Sequence, residues 1–316
     1  MIASIVVAGS LNMDLVVRAP RIPRPGETII GGAFHTMPGG KGANQAVAAA
    51  RLGARVSMVG RVGHDAFGGA LLESLVADGI DHAFVVRDGE AATGVALIVV
   101  DDNGENSIVV SSGANMRLSP ADVEAAEAVI AAADVLVLQL EVPLESVIRS
   151  AELARAHGVQ VVLNPAPARP LPAQLLSMVD VLVPNETEAA LLTGLPVGSR
   201  LEAERAAAAL LGSGVGTVIL TLGERGALPA GAGEMRVHPA FDVQPVDTTA
   251  AGDAFVAGLA VALAEGQGLD EAVRWGNAAG GLAATQLGAQ PSLPTRGALE
   301  QLLADGRLKV PPGDQG

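Results

Sequence analysis

Cysteine and tyrosine are absent from the 316-residue sequence, and tryptophan occurs once. Without cysteine, the chain can form neither disulfides nor thiolate metal sites. Basic residues are also few, with 20 Lys and Arg against 34 Asp and Glu and a formal net charge of −14. A nucleic-acid groove needs clustered Lys and Arg, so we expect no nucleic-acid partner. A small phosphate ligand stays open, because a helix N-terminus can hold one with little basic charge nearby.

The sequence also contains no unbroken apolar run long enough to cross a membrane. Hydrophobic residues make up 49% of the chain, but the best candidate, residues 206–223, is broken by Gly212, Ser213, Gly214 and Gly216. The first residues, MIASIVVAGS, have no basic group ahead of their apolar stretch, which argues against a signal peptide. We therefore expect a cytoplasmic protein with no membrane partner.

Short runs rich in Val, Ile and Leu alternate with Ala-rich stretches along most of the chain. Continuous apolar strands between helices predict an α/β fold, with a mostly parallel central sheet flanked by helices on both faces. The predicted strands are SIVVAG, VSMVG, DVLVLQLE, VQVVLNP, DVLVPN and TVILTLG. The predicted helices include ANQAVAAARLG, LESVIRSAELARAHG, AERAAAALLG and the tract from Asp253 to about Gly266.

Two segments, 14–36 and 92–112, have no helix to cover them, and the second is typical of a β-hairpin with the turn DDNGEN. A sheet this small is rarely stable alone. We predict a small β-sheet lid that packs over the active site or against a second subunit. The remaining residues are assigned to a discontinuous α/β domain, 1–13, 37–91 and 113–308, and to a frayed Pro/Gly-rich tail, 309–316.

The strongest chemical signal is VDTTAAGDAFVAGLAVAL, residues 246–263, where a turn of small residues leads directly into an apolar helix. The first N–H groups of a helix lack partners and carry the positive end of its dipole. The small side chains of Ala250, Ala251 and Gly252 would let a phosphoryl group approach them. Asp253 could then take the proton from an attacking hydroxyl. The simpler interpretation is that Asp253 only caps the helix.

Two further segments are rich in glycine. PGGKGANQAVAAARLG, residues 38–53, is not a Walker A loop, because Lys41 is followed by Gly42 instead of Ser or Thr. Lys41 and Asn44 place a cation and an amide at the start of a helix, which suits hydroxyls or an anion, although an ordinary turn fits equally well. TLGERGAL, residues 221–228, follows a predicted strand and is either a nucleotide loop or a hairpin turn.

Polar side chains follow three of the predicted strands. Asn12 and Asp14 come after the first strand and share one face by the period of two. Glu141 ends a second strand, and Asn185 and Glu188 follow a third. Ligands of open α/β sheets bind beyond the carboxyl ends of the strands, so these residues are candidates for a common site. Each could also be a local Asx turn or a solvated helix start.

Five segments, GGKGANQAVAAARLG, LNPAPA, PNETE, TLGERG and DTTAAGDAF, occur in this order, and together they resemble the ribokinase family of PfkB-type carbohydrate kinases over nearly the whole chain. LQLEVPLESV and LNPAPARPLP are closer to the ribose kinases than to the adenosine, fructose or ketogluconate kinases of that family. The resemblance implies transfer of the ATP γ-phosphoryl group to the primary hydroxyl of ribose, giving ribose 5-phosphate and ADP. It also implies Mg²⁺ with ATP, a monovalent cation, K⁺ preferred, and a homodimer through the lid.

The resemblance further implies roles for individual residues. It makes Asp253 the catalytic base and Ala250, Ala251 and Gly252 an anion hole. The implied sugar contacts are Asn12, Asp14, Gly40, Lys41, Asn44, Glu141 and Asp253. The implied nucleotide contacts are Asn185, Thr221, Gly223, Gly226, Gly252 and Asn277, with Asn185 and Glu188 in the motif that organises hydrated Mg²⁺. The implied cation ligands are Asp247, Thr249, Ala283, Gln286, Gly288 and Ser292.

Two positions depart from the family pattern: Asn277 stands where a histidine is common, and Pro38 where an aromatic or small residue often precedes GGKG. The first bears on nucleotide preference and the second on the sugar loop. Deoxyribose or a nucleoside is the alternative substrate, although five Phe, one Trp and no Tyr offer little stacking surface for a base. The alternative from another class is a non-catalytic sugar sensor. Such a sensor would have lost the base or the anion turn, and both are present.

Overall fold

The computed structural model describes residues 2–231, 233 and 235–309. The strands are β1 (Ser4–Ala8), β2 (Asn12–Arg18), β3 (Phe34–Gly39), β4 (Arg55–Gly63), β5 (Asp81–Asp88), β6 (Gly94–Val100), β7 (Asn106–Ser111), β8 (Val135–Leu138), β9 (Gln160–Leu163), β10 (Val181–Leu182), β11 (Thr217–Thr221) and β12 (Ala227–Ala230). The helices are α1 (Lys41–Arg51), α2 (Ala66–Ala77), α3 (Pro120–Ala125), α4 (Glu127–Ala131), α5 (Leu144–Ala156), α6 (Ala173–Leu176), α7 (Glu186–Thr193), α8 (Arg200–Gly212), α9 (Ala251–Ala264), α10 (Leu269–Ala283) and α11 (Arg296–Asp305).

Eight strands form the large sheet in the order β12-β11-β10-β9-β8-β1-β4-β5, parallel except for the edge strand β12. Along β1, Ile5 and Val7 pack with residues of α1, α9 and α10, whereas Val6 and Ala8 pack with residues of α5 and α8. Alternate side chains of a strand point to opposite faces, so both faces of this sheet are buried. The predicted α/β fold, with helices on both faces, is confirmed.

Four strands form a second, smaller sheet in the order β3-β2-β6-β7. β6 and β7 are antiparallel neighbours around residues 101–105, which confirms the predicted hairpin. β2 begins at Asn12 and pairs with both β3 and β6. Asn12 and Asp14 therefore share one face of the small sheet, and the interpretation of them as a local Asx turn is wrong. β1 stops at Ala8, because the chain turns at Gly9 and crosses to the second sheet.

The small sheet leaves large apolar side chains in contact with solvent. Phe34, Leu97 and Val109 lie on one face by the strand register and are 60%, 50% and 62% exposed. Ile108 and Val110 point to the other face and are also exposed. A single chain thus leaves much of this sheet uncovered.

Several local features differ from the sequence prediction. β8 stops at Leu138, so Glu141 lies in the loop after the strand rather than at its end. The edge strands β5 and β12 were not predicted from the sequence. Of the predicted frayed tail, Lys309 is held by a hydrogen bond from its N–H to Ala240 O (2.8 Å), while residues 310–316 lie outside the described residues. Within the described part of the chain, no helix is long and apolar enough to span a bilayer.

Candidate active site

The start of α9 has an unusual backbone. Ala250 precedes the helix at φ 59° and ψ 7°, in the left-handed region that L side chains rarely adopt, and no side chain caps the helix. Asp253 lies inside the first turn and is only 6% exposed, so the interpretation of Asp253 as the cap is wrong. At Gly252, apart from the adjoining residues and the backbone of α9 itself, no atom lies within 4 Å of the position that a Cβ would occupy. The helix therefore begins at an open space with its N–H groups directed toward it.

Two cavities meet at this helix start. One has a volume of about 380 Å³ and a mostly apolar wall that includes Phe241, Val243 and Phe255. The other, of about 220 Å³, is polar and is lined by Lys41, Asn185, Glu188 and Asp253, among others. Thr221, Thr248 and Gly252 line both cavities. A group passing from one cavity to the other would pass the N-terminus of α9, where negative charge is stabilised.

The carboxylate of Asp253 is held by two neighbouring amides of α1. Asn44 Nδ2 donates to Asp253 Oδ2 (2.9 Å), and Gln45 Nε2 donates to Asp253 Oδ1 (3.0 Å). Each carboxylate oxygen keeps a second acceptor position. A proton could therefore be accepted without breaking either bond.

Glycines bring the start of α1 against the turn that links the two sheets. Gly40 has φ 89°, and a Cβ there would lie 2.7 Å from Asn12 N. Glu141 Oε2 accepts the N–H of Lys41 (3.2 Å) and the hydroxyl of Ser10 (2.5 Å). Glu141 thus sits at the positive end of α1, which stabilises its charge.

Three carboxylates surround the amine of Lys41. Burial, together with the nearby charges of Glu141 and Asp253, raises the pKa of Asp14 to about 7. Burial by itself would lower the pKa of Lys41, but Asp253, Glu141 and Glu188 outweigh it and raise that pKa. The predicted residues Asp14, Lys41, Asn44, Glu141 and Asp253 therefore form one cluster. Its excess negative charge suits hydroxyl ligands, which can donate hydrogen bonds to carboxylates.

Asn185 and Glu188 form a capping box at the start of α7. Asn185 Oδ1 accepts the N–H of Glu188 (2.8 Å), and Glu188 Oε2 accepts the N–H of Asn185 (2.8 Å). Burial raises the pKa of Glu188 above its ordinary value. Both residues also line the polar cavity, so the helix-start interpretation and the ligand-site interpretation apply together. Among the described residues, no three His, Cys, Asp or Glu side chains are grouped so that they could hold a metal ion.

The segment TLGERG is both a turn and a cavity wall. It joins the antiparallel strands β11 and β12, and Thr221, Gly223 and Gly226 line the apolar cavity. Gly226 has φ 98°, and a Cβ there would lie 2.0 Å from His238 O, so only glycine fits. Asn277 also lines this cavity, and its Nδ2 donates to His238 O (3.1 Å).

Asp247 connects the turn before α9 to the loop after α10. Its Oδ1 accepts the N–H (2.9 Å) and the hydroxyl (2.7 Å) of Thr249, and its Oδ2 accepts the N–H of Gly288 (2.9 Å). Burial opposes ionisation of Asp247, but these hydrogen bonds outweigh it and lower its pKa. Further along the loop, Ser292 is buried and donates its hydroxyl to Ala289 O (2.8 Å). Ala283 and Gln286 are joined by a hydrogen bond from Gln286 N to Ala283 O (3.3 Å).

Sequence reasoning missed four buried amides that support the site. Asn115 Nδ2 donates to Asn12 Oδ1 (2.8 Å) and fixes that side chain. Gln45, Gln139 and Asn164 continue the hydrogen bonds of Asp253 into the protein. Gln139 could have been noticed, because it is a polar residue inside the apolar run DVLVLQLE. Gln45 and Asn164 lie in motifs that the sequence singled out for other residues.

A helix N-terminus between two cavities, beyond the strands of a parallel sheet, is an arrangement that suits the binding of a phosphoryl group. Residues 2–296 match the pfkB family carbohydrate kinase, and the chain belongs to this family. It is 45% identical over 293 residues to a ribokinase of Haemophilus influenzae, covering 93% of this chain and 96% of the relative. It is 40% identical over 293 residues to a deoxyribokinase of Salmonella typhimurium, covering 92% and 95%.

The fold is shared with a solved structure of a family member. The structure of Arabidopsis thaliana ribokinase complexed with ribose and ATP superposes with a TM-score of 0.89 at 36% identity, covering 96% of this chain and 99% of that one. The sequence-based identification of the family is therefore confirmed. The chain is a phosphotransferase.

Proposed function

We propose that this enzyme transfers the γ-phosphoryl group of ATP to the primary hydroxyl of D-ribose, giving D-ribose 5-phosphate and ADP. One observation carries the proposal: Asp253 and Gly252 lie where a nucleotide-sized apolar cavity meets a polar cavity, at an uncapped helix start. The relatives that are named ribokinase, and the one complexed with ribose and ATP, support the choice of substrates.

In the proposed reaction, Asp253 accepts the proton of the ribose hydroxyl as its oxygen attacks the γ-phosphorus. The bond between that phosphorus and the oxygen of ADP breaks, and the proton stays on Asp253 until it leaves to water. Ala250, Ala251 and Gly252 form the turn whose N–H groups stabilise the negative charge on the transferred group. The nucleotide occupies the apolar cavity, between Thr221, Gly223, Gly226 and Asn277.

The sugar is proposed to contact Asn12, Asp14, Gly40, Lys41, Asn44 and Glu141. Asn44 Oδ1 supports this assignment, because it is buried and no donor of the described residues reaches it. A buried acceptor without a partner is costly unless a ligand satisfies it. A sugar hydroxyl would do so.

Two ions belong to the proposal. Mg²⁺, when bound with ATP, neutralises phosphate charge, and Asn185 and Glu188 would hold its hydration shell. Glu188 suits this role because Asn185 uses only two of about four acceptor positions on its carboxylate. K⁺ would lie at Asp247 with the carbonyls of Thr249, Ala283, Gln286 and Gly288 and the Ser292 hydroxyl. Three hydrogen bonds leave Asp247 one acceptor position, and Asp247 is the only charged member of that set.

The proposed cation effect is tested by titrating KCl into buffer free of sodium and potassium, against an organic salt of equal ionic strength. We expect turnover to rise with KCl alone. Equal activity in both titrations would remove the cation site.

We also propose a cytoplasmic homodimer joined through the small sheet, supported by its exposed apolar side chains. Light scattering at micromolar concentration should give twice the chain mass. Leu97→Asp and Ile108→Asp place a charge on opposite faces of the sheet, and we expect one of them to give monomers. A monomeric wild type would contradict the proposal.

The reaction is tested by measuring ADP release with ribose, deoxyribose, fructose, adenosine and uridine. We expect ribose to give the highest kcat/KM, and a higher value for deoxyribose would reassign the substrate. Asp253→Asn should keep the fold and sugar binding but lower kcat by about 10²- to 10⁴-fold, because an amide cannot accept the proton. Turnover near that of the wild type would contradict the role of Asp253.

A further inference from the structure

A chain of buried amides runs from the large sheet to Asp253. Gln139, which is 0% exposed, donates from Nε2 to Gln45 Oε1 (2.6 Å). Gln45, which is 1% exposed, donates from Nε2 to Asp253 Oδ1 (3.0 Å) and to Asn164 Oδ1 (3.3 Å). Asn164 Nδ2 donates to Val183 O (3.0 Å) and so fixes the end of the chain.

The direction of these bonds determines which end of the Gln45 amide faces Asp253. The two ends of an amide have nearly the same shape, but only the nitrogen carries hydrogens. If the amide turned over, its oxygen would face the carboxylate, and two acceptors would meet. Gln139 prevents this, because its N–H bond occupies the oxygen of Gln45. Both hydrogens and the oxygen of Gln45 are thus used inside the protein, and its orientation is set before a substrate binds.

Gln139 holds this position at a cost to stability. Its Oε1 is buried, and no donor of the described residues reaches it. The oxygen packs against Gly9, where an added Cβ would lie only 1.9 Å away. An apolar side chain of similar size would avoid the unpartnered acceptor. Packing alone therefore does not explain an amide at position 139, whereas its hydrogen bond to Gln45 does.

Asn44 and Gln45 hold the two oxygens of the same carboxylate but differ in what remains free. Asn44 keeps an unpartnered oxygen for a ligand, whereas Gln45 keeps none. Removing Asn44 should therefore disturb sugar binding as well as the rate. Removing Gln45 should leave sugar binding in place and disturb only the aim of Asp253.

We infer that Gln45 is a positioning residue that aims the Asp253 carboxylate at the sugar hydroxyl, and that Gln139 acts through Gln45 by fixing its amide. The inference rests on the proposed role of Asp253 as the base. Misplacing a catalytic group by about 1 Å can cost about 10²-fold in rate.

The test uses the full-length enzyme with D-ribose and ATP and compares Gln45→Met, Gln139→Met, the double variant and Asp253→Asn. Measurements are kcat, KM, the ribose Kd by calorimetry, and Tm. We expect Gln45→Met to lower kcat by about 10- to 100-fold and Gln139→Met by about 3- to 10-fold, with the ribose Kd unchanged within about 3-fold. Because Gln139 acts through Gln45, the double variant should be no slower than Gln45→Met alone.

Ser150→Ala serves as the control for loss of a buried hydrogen bond, since Ser150 bonds Ser146 O (2.8 Å) in α5, on the other face of the sheet. We expect a lower Tm and an unchanged kcat. If Gln45→Met does not fold, Gln139→Met decides, because it leaves both bonds of Asp253 in place.

Three results would overturn the inference. The first is that the effects of Gln45→Met and Gln139→Met on kcat multiply in the double variant. The others are a kcat near wild type in either single variant, and a ribose Kd that rises as kcat falls. If Asp253→Asn has a low kcat but both glutamine variants have a normal kcat, this inference is wrong and the proposed function still stands. An active Asp253→Asn would overturn the proposed function itself.

Discussion

Two of the helices that start at the polar cavity, α7 and α9, begin in opposite ways. α7 has a complete capping box, in which Asn185 and Glu188 satisfy each other's N–H groups. α9 has no side-chain cap and starts from Ala250 in a left-handed conformation that is costly for any residue but glycine. The start of α7 is stable by itself, whereas the start of α9 leaves its donors to a ligand. In the proposed function, the start of α9 serves phosphoryl transfer, whereas the capping box stabilises the start of α7.

The largest expected effect tests the open space at α9. Gly252→Ala adds a methyl group where the two cavities meet, so we expect kcat to fall by about 10²-fold or more, because the transferred group cannot approach the N–H groups. Tm should not fall, since alanine favours a helix by about 1 kcal/mol over glycine. Steady-state kinetics and thermal unfolding measure the two effects.

Gly69→Ala in α2 is the matched control for Gly252→Ala. Gly69 also lies in a helix with no atom within 4 Å of an added Cβ, but away from both cavities. It should gain stability and keep its turnover. Equal kinetics of the two variants would show that the space at Gly252 is not used.

The buried carboxylate of Asp14 is a second feature of the site that is expected to reduce stability. Its pKa of about 7 lies above the ordinary 3.8, so the folded state binds a proton more tightly than the unfolded state. Stability therefore falls as the pH rises from about 4 to about 7, and the full penalty is present above pH 7. We expect Asp14→Asn to raise the free energy of unfolding at pH 8 by about 1–4 kcal/mol, measured by urea denaturation, while sugar binding weakens. The gain should vanish near pH 4. A constant gain across this range would contradict the assignment of the pKa.

In α7, the capped helix, removal of a polar side chain should lower stability, in contrast to Asp14→Asn. Asn185→Ala removes the cap of α7 and should lower stability by about 1 kcal/mol, with a loss of turnover because Asn185 also lines the polar cavity. Ser199→Ala removes the corresponding cap of α8, which does not line either cavity. Ser199→Ala should be destabilised by a similar amount but should keep its turnover. Unequal losses of stability in the two variants would argue that Asn185 does more than cap the helix.

The smallest effect is expected at Ala250. Glycine adopts the left-handed conformation freely, so Ala250→Gly should relieve strain of about 1–2 kcal/mol, offset by about 0.4–1 kcal/mol of added freedom in the unfolded chain. Thermal unfolding should give a small net gain in stability. Kinetics should give a several-fold lower kcat, because the turn is less rigid. A clear loss of stability would mean that Ala250 is not strained.

The sequence predicted the fold well where local pattern and tertiary structure agree. The apolar strands of the parallel sheet and the Ala-rich helices repeat with clear periods, and their order along the chain is enough for the fold class. β10 keeps only two residues of DVLVPN as strand, because neighbouring strands decide where pairing stops.

The small and charged residues of the candidate site were predicted from the sequence, whereas its buried amides were missed. Asp253, Lys41 and Glu141 come from distant segments that recognisable motifs mark. Gln45 and Gln139 act by the direction of hydrogen bonds between residues 94 positions apart, and no local pattern carries that information. The start of the second sheet was placed at Asp14 instead of Asn12 for a similar reason, since register with β3 and β6 defines where that strand begins.

Lys309 has a practical consequence for anyone who expresses this protein. Its backbone is bonded to Ala240, its amine pairs with Glu224 (3.1 Å), and its side chain forms part of the apolar cavity wall. An affinity tag fused shortly after Lys309 would therefore begin close to the proposed nucleotide site. Kinetic constants for ATP should be measured with the tag at the other end of the chain, or after its removal.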